Sequence, residues 1–168
     1  MILVYADHDR GELDPLALQV VSAARGLDAD VHALIVGPNA EKCVDDLASA
    51  GVRTVHHGTN AAIDDYTPRA SASAVITVMD RLEPRAVLAA GTPRGSEVLA
   101  HVASIKDLPL VTECSEIALT GSGPAEVTRA RWGGNLLERS EVSADVLLAT
   151  VQAHVFAVSE DAGDAQVE

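Results

Sequence analysis

At 168 residues the chain is long enough for one domain with a substantial core, and with 48% apolar residues it is not disordered as a whole. Twenty-five acids against twelve bases leave a formal charge of −13, which argues against a nucleic-acid or anionic-membrane surface, since phosphate binding needs clustered cations. Lys42 and Lys106 are the only lysines and aromatics are scarce, a balance that suits a protein kept soluble by repulsion in a high-salt cytoplasm.

The first element is an apolar strand over residues 2–6, followed by an acidic loop over 7–13. Asp14-Pro15 opens a helix, because Asp accepts from orphan N–H groups and Pro is tolerated at the first helical position. Leu16, Val20, Ala24 and Leu27 fall on one face of it. A second strand over 30–36 stops at Gly37-Pro38-Asn39, a second helix over 40–50 closes at Gly51, and a short third strand covers 53–57. Thr67-Pro68 repeats the capping device, and Val75, Val78, Met79 and Leu82 form the buried stripe of the third helix. Residues 86–90 form a continuous apolar run, as expected of a strand covered on both faces. A fourth helix is expected from about Ser96 to Ile105, and a fifth strand within 108–119.

After the turn at Gly121 to Pro124 the texture changes. Short β-like runs over 126–131, 136–142 and 146–151 are joined by turns, so this end is expected to be antiparallel. The fold class is therefore α/β: a three-layer, mostly parallel open sheet of Rossmann-like character with antiparallel C-terminal strands. Residues 1–157 read as one domain and 158–168 as an acidic linker or tail. Cys43 and Cys114 are far apart and show no C-x-x-C spacing, so they read as two reduced, partly buried thiols in the cytoplasm. The N-terminus lacks a basic region and reads as a strand rather than a signal peptide, and no apolar run is long enough to cross a bilayer.

Two glycine-containing turns are the chemical candidates. In an open parallel sheet, ligands sit beyond the carboxyl ends of the strands, where the strand order switches. Residues 6–9, 37–39 and 91–96 are expected there. Gly91, Thr92, Arg94, Gly95 and Ser96 offer backbone N–H groups, a hydroxyl and a guanidinium to a nucleotide or other anion. The alternative is a tight strand-to-helix turn with Ser96 as cap, since the loop lacks the phosphate-binding Lys and the G-x-G-x-x-G spacing. Asp7, His8 and Asp9 offer acid/base groups on one loop, but no partner nucleophile is identifiable. His56 and His57 are adjacent on a strand and point to opposite faces, so they are poorly placed to share a metal ion. The second turn runs from Arg129 through Arg131, Trp132, Gly133 and Gly134 to Asn135 and carries the only Trp of the chain. Trp and Arg are enriched at partner contacts, and permissive glycines admit a second backbone; covering a sheet edge, or self-association, would use the same residues.

The order of these segments resembles the N-terminal domain of the electron-transfer flavoprotein alpha subunit. Val4-Tyr5-Ala6-Asp7-His8 followed by Gly11 to Pro15 is similar to the family's first strand, acidic-His loop and helix start. Residues 31–37 are similar to its second strand, and Ala89-Ala90-Gly91-Thr92 with Gly95 to its fourth-strand glycine turn. Arg129, Trp132, Gly133, Gly134 and Asn135 match its most specific motif, and Thr150-Val151 its closing strand. The resemblance runs to about Phe156. Ala100-His101 stands where Pro-Arg is frequent, Thr112-Glu113 where Ser-Asp is usual, and Gln152 in place of a common Arg.

The resemblance implies a partner-binding module of an electron carrier, not a catalyst. It implies pairing with a beta-type subunit to form a base for an FAD-binding domain, supplied in cis or in trans, which reaches dehydrogenases. It implies no flavin-binding residue and no cofactor in this chain alone, with FAD held in the complete complex. Beta subunits of the family hold AMP, whereas the alpha N-terminal domain generally does not. A stand-alone adenine-nucleotide-binding sensor or hydrolase on the same fold is the alternative.

Overall fold

The computed structural model describes residues 1–59, 66–121, 123–158 and 166–167. The chain begins with strand β1 (Ile2–Tyr5), a small hairpin of β2 (His8–Asp9) and β3 (Glu12–Leu13), helix α1 (Pro15–Leu27) and strand β4 (Val31–Val36). A 3-10 turn (Ala40–Cys43) leads into α2 (Val44–Ser49), then β5 (Thr54–Gly58), α3 (Pro68–Leu82), β6 (Ala86–Ala90) and α4 (Pro93–Lys106). The remaining strands are β7 (Leu110–Leu119), β8 (Ala125–Arg131), β9 (Leu136–Val142), β10 (Leu147–Val151) and β11 (Gln166–Val167).

One nine-stranded sheet dominates, in the order β11-β5-β4-β1-β6-β10-β7-β8-β9. Every pairing from β11 to β7 is parallel, and β7-β8-β9 are antiparallel. The strand period of two sends Ile2 and Val4 into a core shared with Val20, Val21 and Leu47 of α1 and α2. Leu3 and Tyr5 enter a second core with Val75, Met79, Val98 and Leu99 of α3 and α4. Strands β1, β6 and β10 are buried at every position because helices cover both faces, which explains their unbroken apolar sequences. Leu88 and Leu148 expose nothing, so truncating either to Ala should cost about 2–5 kcal/mol.

The α/β class, the three layers and the antiparallel extension agree with the sequence reading, with two corrections. The run at 147–151 is not part of the antiparallel end: β10 is parallel and sits between β6 and β7. Strand β7 makes this possible by serving two partners along its length. Residues 110–114 pair with β10, and residues 114–119 pair with β8. The register shifts where they meet, at the left-handed Glu113 (φ 59°), whose amide donates to Thr150 Oγ1 at 2.9 Å. The second correction concerns α4, which starts at Pro93 and is capped by Thr92 rather than by Ser96.

The expected acidic tail falls mostly on residues outside the described set. Gln166–Val167 lies parallel to Thr54–Val55, and the Gln166 amide donates to the Arg53 carbonyl at 2.9 Å.

Candidate functional site: the strand-end cleft and the hairpin tip

Strand order reverses at β1, which has β4 on one side and β6 on the other. The carboxyl ends of these strands open into a cleft of about 240 Å³, lined by Tyr5, Asp7, His8, Tyr66, Ser71 and Arg94. A second hollow of about 600 Å³ lies beside it, between Asp7, Glu12, Asp14, Thr92 and Arg94. The first candidate turn is therefore where an open α/β sheet places a ligand.

Its glycines answer to space inside the protein. A Cβ on Gly95 would collide with the Ala90 carbonyl oxygen, and one on Gly91 would stand 2.8 Å from the Val151 carbonyl and 2.5 Å from Glu113 Oε1. Thr92 Oγ1 accepts from the Gly95 amide at 3.0 Å, and the Ser96 amide donates to the Thr92 carbonyl at 2.9 Å. Pro93 has no N–H, so three of the first four helix positions present no free donor. Arg94 is held over the Tyr66 ring at 4.6 Å, with its Nη1 3.8 Å from Asp7 Oδ1. The Tyr66 hydroxyl donates to Glu97 Oε2 at 3.1 Å.

Acids dominate the surroundings. Burial pushes the Asp7 carboxyl above its ordinary range, against the pull of the Arg94 guanidinium. Burial likewise pushes the Tyr5 phenol up to about 12, with the Asp7 charge adding to the shift. His8 is engaged at both ring nitrogens: Nδ1 accepts from the Gly11 amide at 3.2 Å, which leaves Nε2 to donate to the Val36 carbonyl at 3.0 Å. Asp14 Oδ1 caps α1 by accepting from Leu16 N at 2.9 Å. Of the Asp7-His8-Asp9 set, His8 thus ties the β2–β3 hairpin to the end of β4. His57 Nε2, which lies 3.0 Å from the Gly37 carbonyl, makes a parallel tie from β5 that the sequence reading did not anticipate.

The second candidate turn joins β8 to β9. Trp132 stands 82% exposed with a left-handed backbone (φ 54°), followed by Gly133 (φ 65°) and Gly134 (φ 88°). Asn135 closes the turn by donating from Nδ2 to the Trp132 carbonyl at 2.8 Å. Leu136 and Leu137, neighbours on β9 whose side chains leave opposite faces of the sheet, are also exposed, and apart from the glycines and their chain neighbours no atom lies within 4 Å of where a Cβ on Gly133 or Gly134 would stand. The flanking arginines both pair with Glu138, Arg129 largely covered and Arg131 half-exposed. Arg129 binds Glu138 Oε1 through Nε at 2.9 Å and Nη2 at 2.7 Å, and Arg131 Nε lies 3.2 Å from Glu138 Oε2. Register explains the first pair, because Arg129 and Glu138 are directly opposite across the ladder. These bonds hold the Glu138 carboxyl below its ordinary range. The exposed large apolar side chains here are Trp132 in the turn and Leu136 and Leu137 on the outer strand, with which no further strand pairs among the described residues.

Among the described residues, no helix is long and apolar enough to cross a membrane. The family model described as the electron transfer flavoprotein domain matches residues 2–168. The chain is 30% identical over 169 residues to the electron transfer flavoprotein subunit alpha of Pseudomonas aeruginosa, covering 99% of this chain and 53% of that one. It is 26% identical over 167 residues to the probable mitochondrial electron transfer flavoprotein subunit alpha of Caenorhabditis elegans, covering 99% and 49%. The LctC subunit of the Acetobacterium woodii lactate dehydrogenase (NAD(+),ferredoxin) is 24% identical over 140 residues, covering 81% and 34%. The chain spans about half the length of the first two relatives. Fold, motif order and these matches agree: the chain belongs to the electron transfer flavoprotein family and resembles the N-terminal domain of its alpha subunits.

Proposed function

We propose that this chain is a non-catalytic, partner-binding module of an electron transfer flavoprotein. It scaffolds a complex in which FAD, held outside residues 1–157, carries electrons from a dehydrogenase. The segment from 158 onward leads toward the FAD-binding domain, in cis or in trans. The observation that carries the reading is the contrast between a strand-end cleft whose polar side chains are engaged with one another and a hairpin tip that leaves Trp132, Leu136 and Leu137 in water. Exposed aromatic and aliphatic side chains at one tip are the anchors a protein partner buries. Arg129 and Arg131 support the tip through Glu138, and Gly134 and Asn135 shape its turn. A beta-type subunit is the partner that fits the family.

The stand-alone nucleotide-binding alternative draws no support from the relatives. In the cleft, Arg94 would meet an incoming phosphate beside Asp7, Asp9, Glu12 and Asp14. We also assign the chain to the cytoplasm, consistent with two buried, unpaired thiols. The −13 charge further suggests adaptation to salt.

The test is co-purification of this chain with a beta-type subunit and the FAD-binding domain, followed by a flavin spectrum. A coloured complex containing all three supports the reading. A colourless chain that ignores both partners overturns it, as does a yellow chain that takes up stoichiometric flavin alone.

A further inference from the structure

The β8–β9 hairpin is the positive end of an acidic molecule. Residues 127–137 hold two arginines, Arg129 and Arg131, and no acid, in a chain whose formal charge is −13. Just behind the tip, Arg139 pairs with Glu126 at 2.8 Å, and Glu138 faces both Arg129 and Arg131. Three arginines (129, 131 and 139) thus meet two glutamates (126 and 138), which leaves one positive charge over.

The geometry says which arginine carries it. Arg129 takes Glu138 Oε1 with Nε at 2.9 Å and Nη2 at 2.7 Å, and its side chain is 18% exposed. Ser140 Oγ donates to the same oxygen at 3.2 Å. Arg131 has Nε 3.2 Å from Glu138 Oε2, and its side chain is 49% exposed. Neither of its Nη nitrogens donates a hydrogen bond among the described residues. Arg131 therefore shares a carboxylate already committed to Arg129.

Register fixes its neighbours. Arg131 lies opposite Leu136 on the last rung before the turn, so the two side chains share one face. Farther back, at Ala125 and Val127, that face enters the core shared with α1. At the tip the cover has ended, and Trp132 follows directly in the chain. A partner that covers Trp132 and Leu136 must then cover Arg131 as well. A guanidinium does not lose its proton in a protein, and a charge taken out of water without a counter-charge is costly. Glu138 cannot neutralise two guanidinium groups, so the missing acceptor has to come from the partner. The planar fork of the two Nη groups matches a carboxylate.

We propose that Arg131 selects the charge of the partner surface: it receives a carboxylate of the beta-type subunit, beside the apolar surface that covers Trp132 and Leu136. This rests on the partner-binding role given above. The surface that fits is one with an acidic group at the rim of an apolar patch. The rest of this acidic chain repels such a surface, so the hairpin is where it is accepted.

The test is calorimetric titration of a purified beta-type subunit with the parent chain, Arg131→Gln, Arg131→Lys and Trp132→Ala, in about 50 mM salt so that screening is weak. Arg131→Gln should bind at least about tenfold more weakly and melt with the parent. Arg131→Lys, which keeps the charge without the fork, should fall between them. Exposed Asp and Glu residues of the beta-type subunit are then changed singly to Asn and Gln. One of these changes should weaken binding to the parent chain and add nothing to the loss already caused by Arg131→Gln. Arg131→Gln binding within about twofold of the parent overturns the proposal. If Trp132→Ala is weakened in that same experiment, the partner-binding reading stands without it. If both variants bind like the parent, or the parent does not bind, that reading fails and the proposal with it. A scan that finds no coupled carboxylate also overturns the proposal. Should Arg131→Gln fail to fold, the same scan against the parent and Arg131→Lys gives the coupling.

Discussion

The two glycine turns, one read in sequence as an anion seat and the other as a partner contact, use their glycines in opposite ways in the structure. At Gly91 and Gly95 the missing side chains make room for Val151 and Ala90 of the same chain, and Thr92 and Arg94 are spent on a helix cap and on the Tyr66 ring. At Gly133 and Gly134 the missing side chains face open space, beside a Trp in a left-handed conformation that costs about 1–2 kcal/mol. Small residues packed against their own backbone mark internal architecture. Small residues facing solvent beside an exposed aromatic answer to no such contact within the chain, and on our proposal this is the surface that a partner buries.

The sharpest way to break the contrast is Gly95→Ala. The added Cβ meets a backbone oxygen that cannot swing away, so we expect a loss of about 3 kcal/mol or more, roughly 10 °C in Tm. A melting curve within 2 °C of the parent would remove the packing explanation. Trp132→Ala should separate stability from binding. We expect about 2 kcal/mol, or roughly thirtyfold, lost in affinity for a beta-type subunit. The Tm should change by no more than that of an ordinary surface substitution, about 0.5 kcal/mol. Equal damage to both would mean that the ring covers the sheet edge instead.

Smaller effects sharpen the cleft side. Thr92→Ala should cost about 1 kcal/mol through loss of the α4 cap, read from urea midpoints, while Ser96→Ala should be nearly silent. Asp7 offers a pH test. Its carboxyl is raised chiefly by burial, so the folded state holds its proton to higher pH than the unfolded chain does. Its contribution to stability is full below the ordinary carboxylate range and declines as pH rises through the raised value. Asp7→Asn should therefore stabilise the protein at pH 7, with the gain vanishing near pH 3. A destabilised variant at pH 7 would mean that the Arg94 contact outweighs burial.

Much of this fold was legible because local patterns carried it. The apolar runs of β1, β4 and β6, the periodic stripes of α1 and α3 and the Asp14-Pro15 cap all act within a few residues. The start of α4 was legible too, since Thr92-Pro93 repeats the signal of Asp14-Pro15, but Ser96 drew the cap away from it. What the sequence hid depends on register. Whether residues 147–151 pair parallel or antiparallel is decided by β7 serving two partners, which no window of residues reveals. The same holds for the histidines. His32 and His56 lie 24 residues apart and meet only because His56 lies opposite Leu34 in the β4–β5 ladder, on the face toward α3. At the hairpin, the Trp132 motif was readable, while the capture of Arg129 and Arg131 by Glu138 needed the β8–β9 register.

The most direct test of the central claim is titration of a purified beta-type subunit with this chain and with its Trp132→Ala variant, by calorimetry in one buffer. We expect a one-to-one complex for the parent chain and roughly thirtyfold weaker binding for the variant, with both proteins melting together. Equal affinities would place the interface elsewhere and leave the exposed hairpin without its assigned role.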